Sequence, residues 1–212
     1  MVNYKKLLVI SLILTILVFS GGFLLGLSLD STRISDLVEN LNQNELSRES
    51  YLVESEFIKN VGGNICDLSK PRVFTLSNEL GTLGQLLTRY ESKGIFRDTE
   101  YNYLKRKYFL LEIRTYSLFV NLKKECGYDF NTILYFYDQN EQSSINQGYI
   151  LDSLVGAQDD LHVFSFDRNF DEPSLNTLKI YYNVTSSPTL IINDKLKKEG
   201  LSSLDELKAI LK

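Results

Sequence analysis

The chain has 212 residues, of which 43% are hydrophobic and 12% aromatic, so a packed core is within reach and general disorder is excluded. All 27 acidic residues lie beyond position 29, whereas two of the 23 basic ones, Lys5 and Lys6, lie before it. The remainder carries 27 acids against 21 bases, a formal charge of −6, which argues against nucleic acid as a partner and against a polybasic hold on anionic lipid.

The first element is the run "LLVISLILTILVFSGGFLLGLSL", Leu7 to Leu29, without a single charge. As a helix it would extend roughly 35 Å, enough to cross a hydrocarbon layer of about 30 Å. A cleaved signal peptide has a shorter apolar stretch and ends in small residues. Here "SGG" at 20–22 is followed by a further apolar turn. Residues 1–29 are therefore predicted to be an uncleaved transmembrane anchor, with lipid as the partner of residues 7–29. Lys5 and Lys6 place the short N-terminus in the cytoplasm and the rest on the extracytoplasmic side of the cell membrane.

Residues 30–62 read as a helical stalk. Ser31 or Thr32 can cap it, and Ile34, Leu37, Val38 and Leu41 form its stripe. The stripe fades after Leu46, so no long coiled coil is expected, and "VGGN" at 61–64 ends the segment. Residues 63–128 carry two seams. Val73, Leu76, Leu80, Leu83, Leu87 and Tyr90 advance by threes and fours, with Ser69 as a cap and Pro71 in the first turn. After a break at Gly94, the spacing returns in Tyr101, Leu104, Tyr108, Leu111, Thr115, Leu118 and Leu122, and Gly127 stops it. The basic stretch "LKRKY" around Lys105 reads as a solvated helix face. The pattern predicts an antiparallel helical hairpin. Cys66 and Cys126 then come level at its open end, where an extracytoplasmic pair oxidises to a structural disulfide. A reactive dithiol is the alternative, although neither cysteine sits in C-x-x-C.

Residues 129–212 change rhythm. Strands are predicted at "TILYFY", "LHVFSF" and "TLII". Helices are predicted at "SSINQGYILDSLVGA", with Ile145, Tyr149, Leu151 and Leu154 as its apolar positions, at "PSLNTLKIYYNV", and at "SSLDELKAILK", where Ser203 and Glu206 have capping-box spacing. "LKKEG" can return as a hairpin edge. This order gives a small α/β sheet covered by helices.

The order, together with Tyr182 (or Tyr181), Val184, Pro188 and Thr189, resembles the thioredoxin superfamily, whose "Y-x-V-x-S-x-P-T" segment ends in a cis-proline. The likeness spans about 40% of the chain, residues 129–212. It implies an α/β thioredoxin-like domain behind the anchor and hairpin, with Pro188 as the cis-proline. The family's C-x-x-C positions are here Glu141, Gln142, Ser143 and Ser144, which leaves no thiol for disulfide exchange. Ser144 is no replacement nucleophile, because the single histidine, His162, falls within a predicted strand. The resemblance implies a peptide-docking groove near Tyr137, Glu141, Ser144, Ser187 and Pro188.

Two cysteines and one histidine do not compose a zinc site, and no phosphate-binding glycine loop is present. "YDQNEQ" and "FDRNFDE" depart from the calcium-loop pattern and read as surface loops. No metal or cofactor is expected. "NVT" at Asn183 is a glycosylation sequon in form. The expectation is a redox-inactive module that binds an unidentified protein or peptide. The alternatives are a thiol-disulfide oxidoreductase using Cys66 and Cys126, and a structural subunit of a membrane complex acting through the hairpin.

Overall fold

Leucine and tyrosine spaced by threes and fours build two long helices that lead into a small mixed sheet. The computed structural model describes residues 6, 8, 10–23, 49–50, 52–54, 56–57, 65–94 and 99–211. The chain divides into two compact units, Met1–Gly63 and Asn64–Lys212.

In the first unit residues 10–23 are helical, and Leu12, Ile16, Phe19 and Phe23 are exposed. Among the described residues no helix is long and apolar enough to cross a membrane. Residues 7, 9 and 24–29 of the apolar run lie outside the described residues, as do the stalk stripe from Ile34 to Leu41, Leu46 and the "VGGN" break.

The second unit opens with α1 (Ile65–Ser92) and α2 (Thr99–Cys126). Both predicted seams meet. Leu76, Leu83 and Leu87 of α1 pack against Tyr101, Leu104, Leu111, Leu118 and Leu122 of α2. Each fully buried leucine of such a seam contributes about 1.5–3 kcal/mol relative to exposure. Gly94 and Gly127 follow the two helices with φ of 70° and 65°, a left-handed conformation that other residues adopt at a cost. α1 starts earlier than its proline suggested, so Pro71 lies inside the helix. Cys66 and Cys126 form a disulfide with Cα atoms 5.6 Å apart, which fixes the pair as antiparallel.

The remaining elements are β1 (Asn131–Tyr137), α3 (Gln142–Val155), β2 (Leu161–Asp167), α4 (Pro173–Tyr181), β3 (Thr189–Ile192), β4 (Leu196–Glu199) and α5 (Leu204–Ile210). The sheet order is β2-β1-β3-β4. β1 runs parallel to β2 and antiparallel to β3, and β4 is antiparallel to β3. Alternation along β1 divides the core. Ile133 and Tyr135 face Leu151 and Leu154 of α3 and Leu207 of α5. Leu134 and Phe136 face Leu175 of α4 together with Phe109, Tyr116 and Phe119 of α2. Successive side chains on a strand point to opposite faces, so one short strand serves two cores.

α2 thus has a second buried stripe, Phe109, Glu112, Tyr116 and Phe119, at the same three-and-four spacing as its first. It follows edge strand β2 in the reverse direction. Lys105 Nζ meets Asp167 Oδ2 at 2.7 Å, Glu112 Oε2 accepts from the Ser165 backbone N–H at 2.6 Å, and the Phe119 ring lies 4.3 Å from His162. The expectation of a solvated "LKRKY" face fails at Lys105, which is 5% exposed because it pairs with the buried Asp167 at the end of β2. It holds at Arg106, whose side chain is 56% exposed while it pairs with Glu172, the N-cap of α4, at 2.5 Å.

In α3 the buried stripe is Ser144, Gln147, Leu151 and Leu154. Ile145 and Tyr149 instead face outward, Tyr149 being 70% exposed. Two polar members of the stripe displaced the apolar reading, and both are hydrogen-bonded. Gln147 Oε1 accepts from the Ser202 N–H at 2.7 Å. Ser203 caps α5 as its spacing predicted, accepting from the Glu206 N–H at 3.3 Å, while the Glu206 carboxylate turns to Lys198 at 2.8 Å.

Candidate functional site

Two neighbouring places gather the candidate residues at the C-terminal end of β1. The first is the corner before β3. The Ser187–Pro188 peptide is cis, and Pro188 is buried. Thr189 Oγ1 donates to the Ser186 carbonyl at 2.8 Å, and the Gly200 N–H donates to the Pro188 carbonyl at 2.8 Å, so the corner is tied to both ends of the β3–β4 hairpin.

Glu141 stands at the N-cap of α3, yet its side chain caps nothing. Its carboxylate reaches across to Ser187, whose hydroxyl donates to Oε2 at 2.6 Å. That bond joins the first of the four degenerate positions to the residue before Pro188. Among the described residues nothing hydrogen-bonds to the backbone N–H or carbonyl of Ser187. Gln142 is exposed and bonds Asn146 along the helix at 2.9 Å. Ser143 is half-buried. Ser144 is 1% exposed and committed to the interior: its Oγ accepts from the Asp138 N–H at 3.1 Å, and its carbonyl accepts from the Tyr135 hydroxyl. A hydroxyl held in this way has neither access nor a base.

The second place is an open cleft of about 1040 Å³ between the hairpin and α3. Its floor is Tyr135, Tyr137 and Ser165. Thr88 and Glu91 of α1 stand on one side, with Ser144, Ile145, Gly148 and Asp152 of α3 on the other, and Asp138, Gln139 and Asn140 form the rim. The structure therefore divides the expected groove. Glu141, Ser187 and Pro188 meet at the corner, whereas Tyr137 and Ser144 line the cleft.

Burial pushes both floor phenols up, Tyr135 to about 12 and Tyr137 well above its ordinary value, the latter helped by Asp167, Glu91 and Glu112. Both keep their protons at neutral pH. The Asn140 backbone N–H and the Asn169 side chain hold the Asp138 carboxyl below its usual range. Glu112, on the face of α2 turned to β2, is pushed up to about 8 by burial, against the opposing effect of Tyr108 and the Ser165 N–H. Among the described residues no three His, Cys, Asp or Glu side chains converge as a metal site.

Sequence reading missed the cleft because its α1 wall, Thr88 and Glu91, belongs to neither seam. A polar pair beside Tyr90 at the turn of a hairpin was the available signal. His162 lies on β2 against Phe119 and Phe130, remote from Ser144 in its contacts, and burial pushes its imidazole down. Asn183 is exposed at a φ of 51° in the turn after α4.

The disulfide is at the other end of β1. Cys126 lies five residues before Asn131, and beside it Lys123 donates to the Phe130 carbonyl at 2.7 Å. The seven residues of β1 separate that end from Tyr137 by roughly 20 Å.

No protein-family model matches this sequence, and no curated protein matches it. Solved thioredoxins are among its structural neighbours. Chloroplastic thioredoxin z is 15% identical, with 43% of this chain covering 83% of that one at a TM-score of 0.35. Thioredoxin O2 from Arabidopsis thaliana, solved in the oxidised state, is 20% identical, with coverage of 47% and 85% and a TM-score of 0.35. The germline-specific thioredoxin Deadhead of Drosophila melanogaster is 20% identical, with coverage of 46% and 88% and a TM-score of 0.32.

Proposed function

We propose that the protein is a membrane-anchored, extracytoplasmic binding module whose thioredoxin-like part holds an extended polypeptide at the Pro188 corner and exchanges no disulfide there. The Glu141–Ser187 hydrogen bond carries this reading. Where a dithiol would act, a carboxylate instead braces the residue before the proline and leaves that residue's backbone groups free to pair with an incoming strand. The uncharged run from Leu7 to Leu29, with helical residues 10–23 exposing Leu12, Ile16 and Phe19, supports the anchor. The cysteine pair, roughly 20 Å away along β1, speaks against a dithiol serving this corner.

The test uses the full-length protein in lipid nanodiscs with peptides selected from a random library. Selected peptides should shift the Ser187 amide resonance. Glu141→Ala should weaken them about fivefold, the scale of one hydrogen bond. Peptides that leave Ser187 unperturbed, or insulin reduction by protein lacking both cysteines, would overturn the groove. Release of the protein from membranes by alkaline carbonate would end the anchor reading.

A further inference from the structure

The turn after α4 holds "NVT", Asn183 to Thr185, the one Asn-x-Ser/Thr triplet in the chain. Its backbone is committed. The Asn183 N–H donates to the Ile180 carbonyl at 3.1 Å, the Asn183 carbonyl accepts from Lys197 Nζ at 2.5 Å, and the Thr185 carbonyl accepts from Arg168 at 2.9 Å. Val184, between them, packs against the core. The outer side chains are not committed. Asn183 and Thr185 are exposed, and among the described residues neither the Asn183 side-chain amide nor the Thr185 hydroxyl makes a hydrogen bond.

The φ of 51° at Asn183 suits glycine or asparagine, and the turn alone accounts for that residue. It accounts neither for the idle hydroxyl at Thr185 nor for the apolar surface just before the turn. Ile180 and Tyr181 are 80% and 73% exposed, and no other large apolar side chain described in the second unit is as exposed. The Tyr181 ring meets Tyr182 edge-on, centroids 4.7 Å apart, and the Tyr182 hydroxyl is bonded to Tyr116 at 2.7 Å. Tyr181 is thus backed by an anchored neighbour and otherwise bare. A bare apolar pair beside an unused asparagine amide suits a sugar attached to that amide. Its hydroxyls stay in water while its C–H face covers the ring.

We propose that Asn183 carries an N-linked oligosaccharide whose first sugar packs on Tyr181 and Ile180. The donor is an oligosaccharide carried on a membrane lipid phosphate. The C–O bond from the sugar's anomeric carbon to the phosphate breaks and a C–N bond to Asn183 Nδ2 forms. Nδ2 releases one proton to water as the lipid phosphate departs. The Thr185 hydroxyl is the recognition element of the triplet. The glycan stands beside the outer strand β4, to which Lys197 ties the asparagine, whereas Ser187 at the corner is tied to α3. The inference rests on the extracytoplasmic placement proposed above, because this transfer takes place on secreted surfaces.

Mass spectrometry of the peptide spanning Asn183, from full-length protein purified out of its own membranes, tests it. A sugar mass on Asn183 is expected. Thr185→Ala should lose it, and Thr185→Ser should keep it; the position is exposed, so the fold is spared. The glycosylated protein should unfold at a higher temperature than the Thr185→Ala protein, and Tyr181→Ala, made in both, should close that gap. A membrane-impermeant amine reagent added to intact cells reads the orientation separately. It should label Lys195, exposed in the β3–β4 turn, in the Thr185→Ala protein. Labelled Lys195 with a bare Asn183 would overturn the glycan and leave the binding module standing. Unlabelled Lys195 with a bare Asn183 would overturn the extracytoplasmic reading and the glycan together. A sugar retained in Thr185→Ala, or a gap unchanged by Tyr181→Ala, would overturn the proposal as well.

Discussion

The two ends of β1 are covered in opposite ways. At Asn131 the cover is apolar and covalent: Phe119, Phe130 and His162 pack together, and the disulfide closes the hairpin beside them. At Tyr137 the cover is polar and open, a cleft with Glu91, Asp138 and Asp152 in its lining. A thiol pair at the second end would suggest chemistry, but at the first it closes a helical pair. The comparison teaches that a cysteine's role depends on which end of the strand it occupies as much as on its presence.

Removing the staple should separate the ends most sharply. Cys66→Ser with Cys126→Ser opens a loop of 60 residues and should cost about 4 kcal/mol in thermal unfolding. Peptide binding in the still-folded protein should stay within about twofold, or one end serves the other and the contrast fails.

Glu112 lies between the ends. Its folded-state pKa, about 8, is above the ordinary carboxyl value, so its stabilisation is full below about pH 4.5 and is lost as pH rises towards 8. Glu112→Gln keeps an acceptor for the Ser165 N–H and should flatten this decline, which reaches on the order of 3 kcal/mol by pH 7. An unchanged pH profile of the unfolding midpoint would show that the carboxyl is not held neutral.

The smallest effect belongs to His162, whose folded-state pKa is depressed by burial against Phe119. Its stabilisation is full above about pH 6.5 and is lost as pH falls through the lower folded value. His162→Phe should remove this acid-side loss. The reverse sign in the acid limb would mean that the ring is charged in the fold.

Much of this architecture was readable from side-chain periodicity. The hairpin seams from Val73 and Tyr101 follow from three-and-four spacing, and "TLII" matches β3 residue for residue. What escaped was shared burial. Lys105 and Glu112 look like surface charges in the sequence, since their partners Asp167 and Ser165 lie 62 and 53 residues away. Ser144 and Gln147 were passed over in favour of Ile145 and Tyr149 because their burial rests on particular hydrogen bonds, which hydrophobic pattern does not encode. At the corner, the positions of Glu141 and Pro188 came from a family resemblance, whereas the bond joining Glu141 to Ser187 needed three dimensions.

The Glu112 bond to the Ser165 N–H has a consequence for growth of the sheet. With α2 laid along β2, one flank is shielded from further strands, and a newcomer extending the sheet has only the Lys197–Glu199 side, where charge discourages it. Residues 129–212 cut free of the hairpin would expose a raw backbone edge, and two such fragments would stick to each other there.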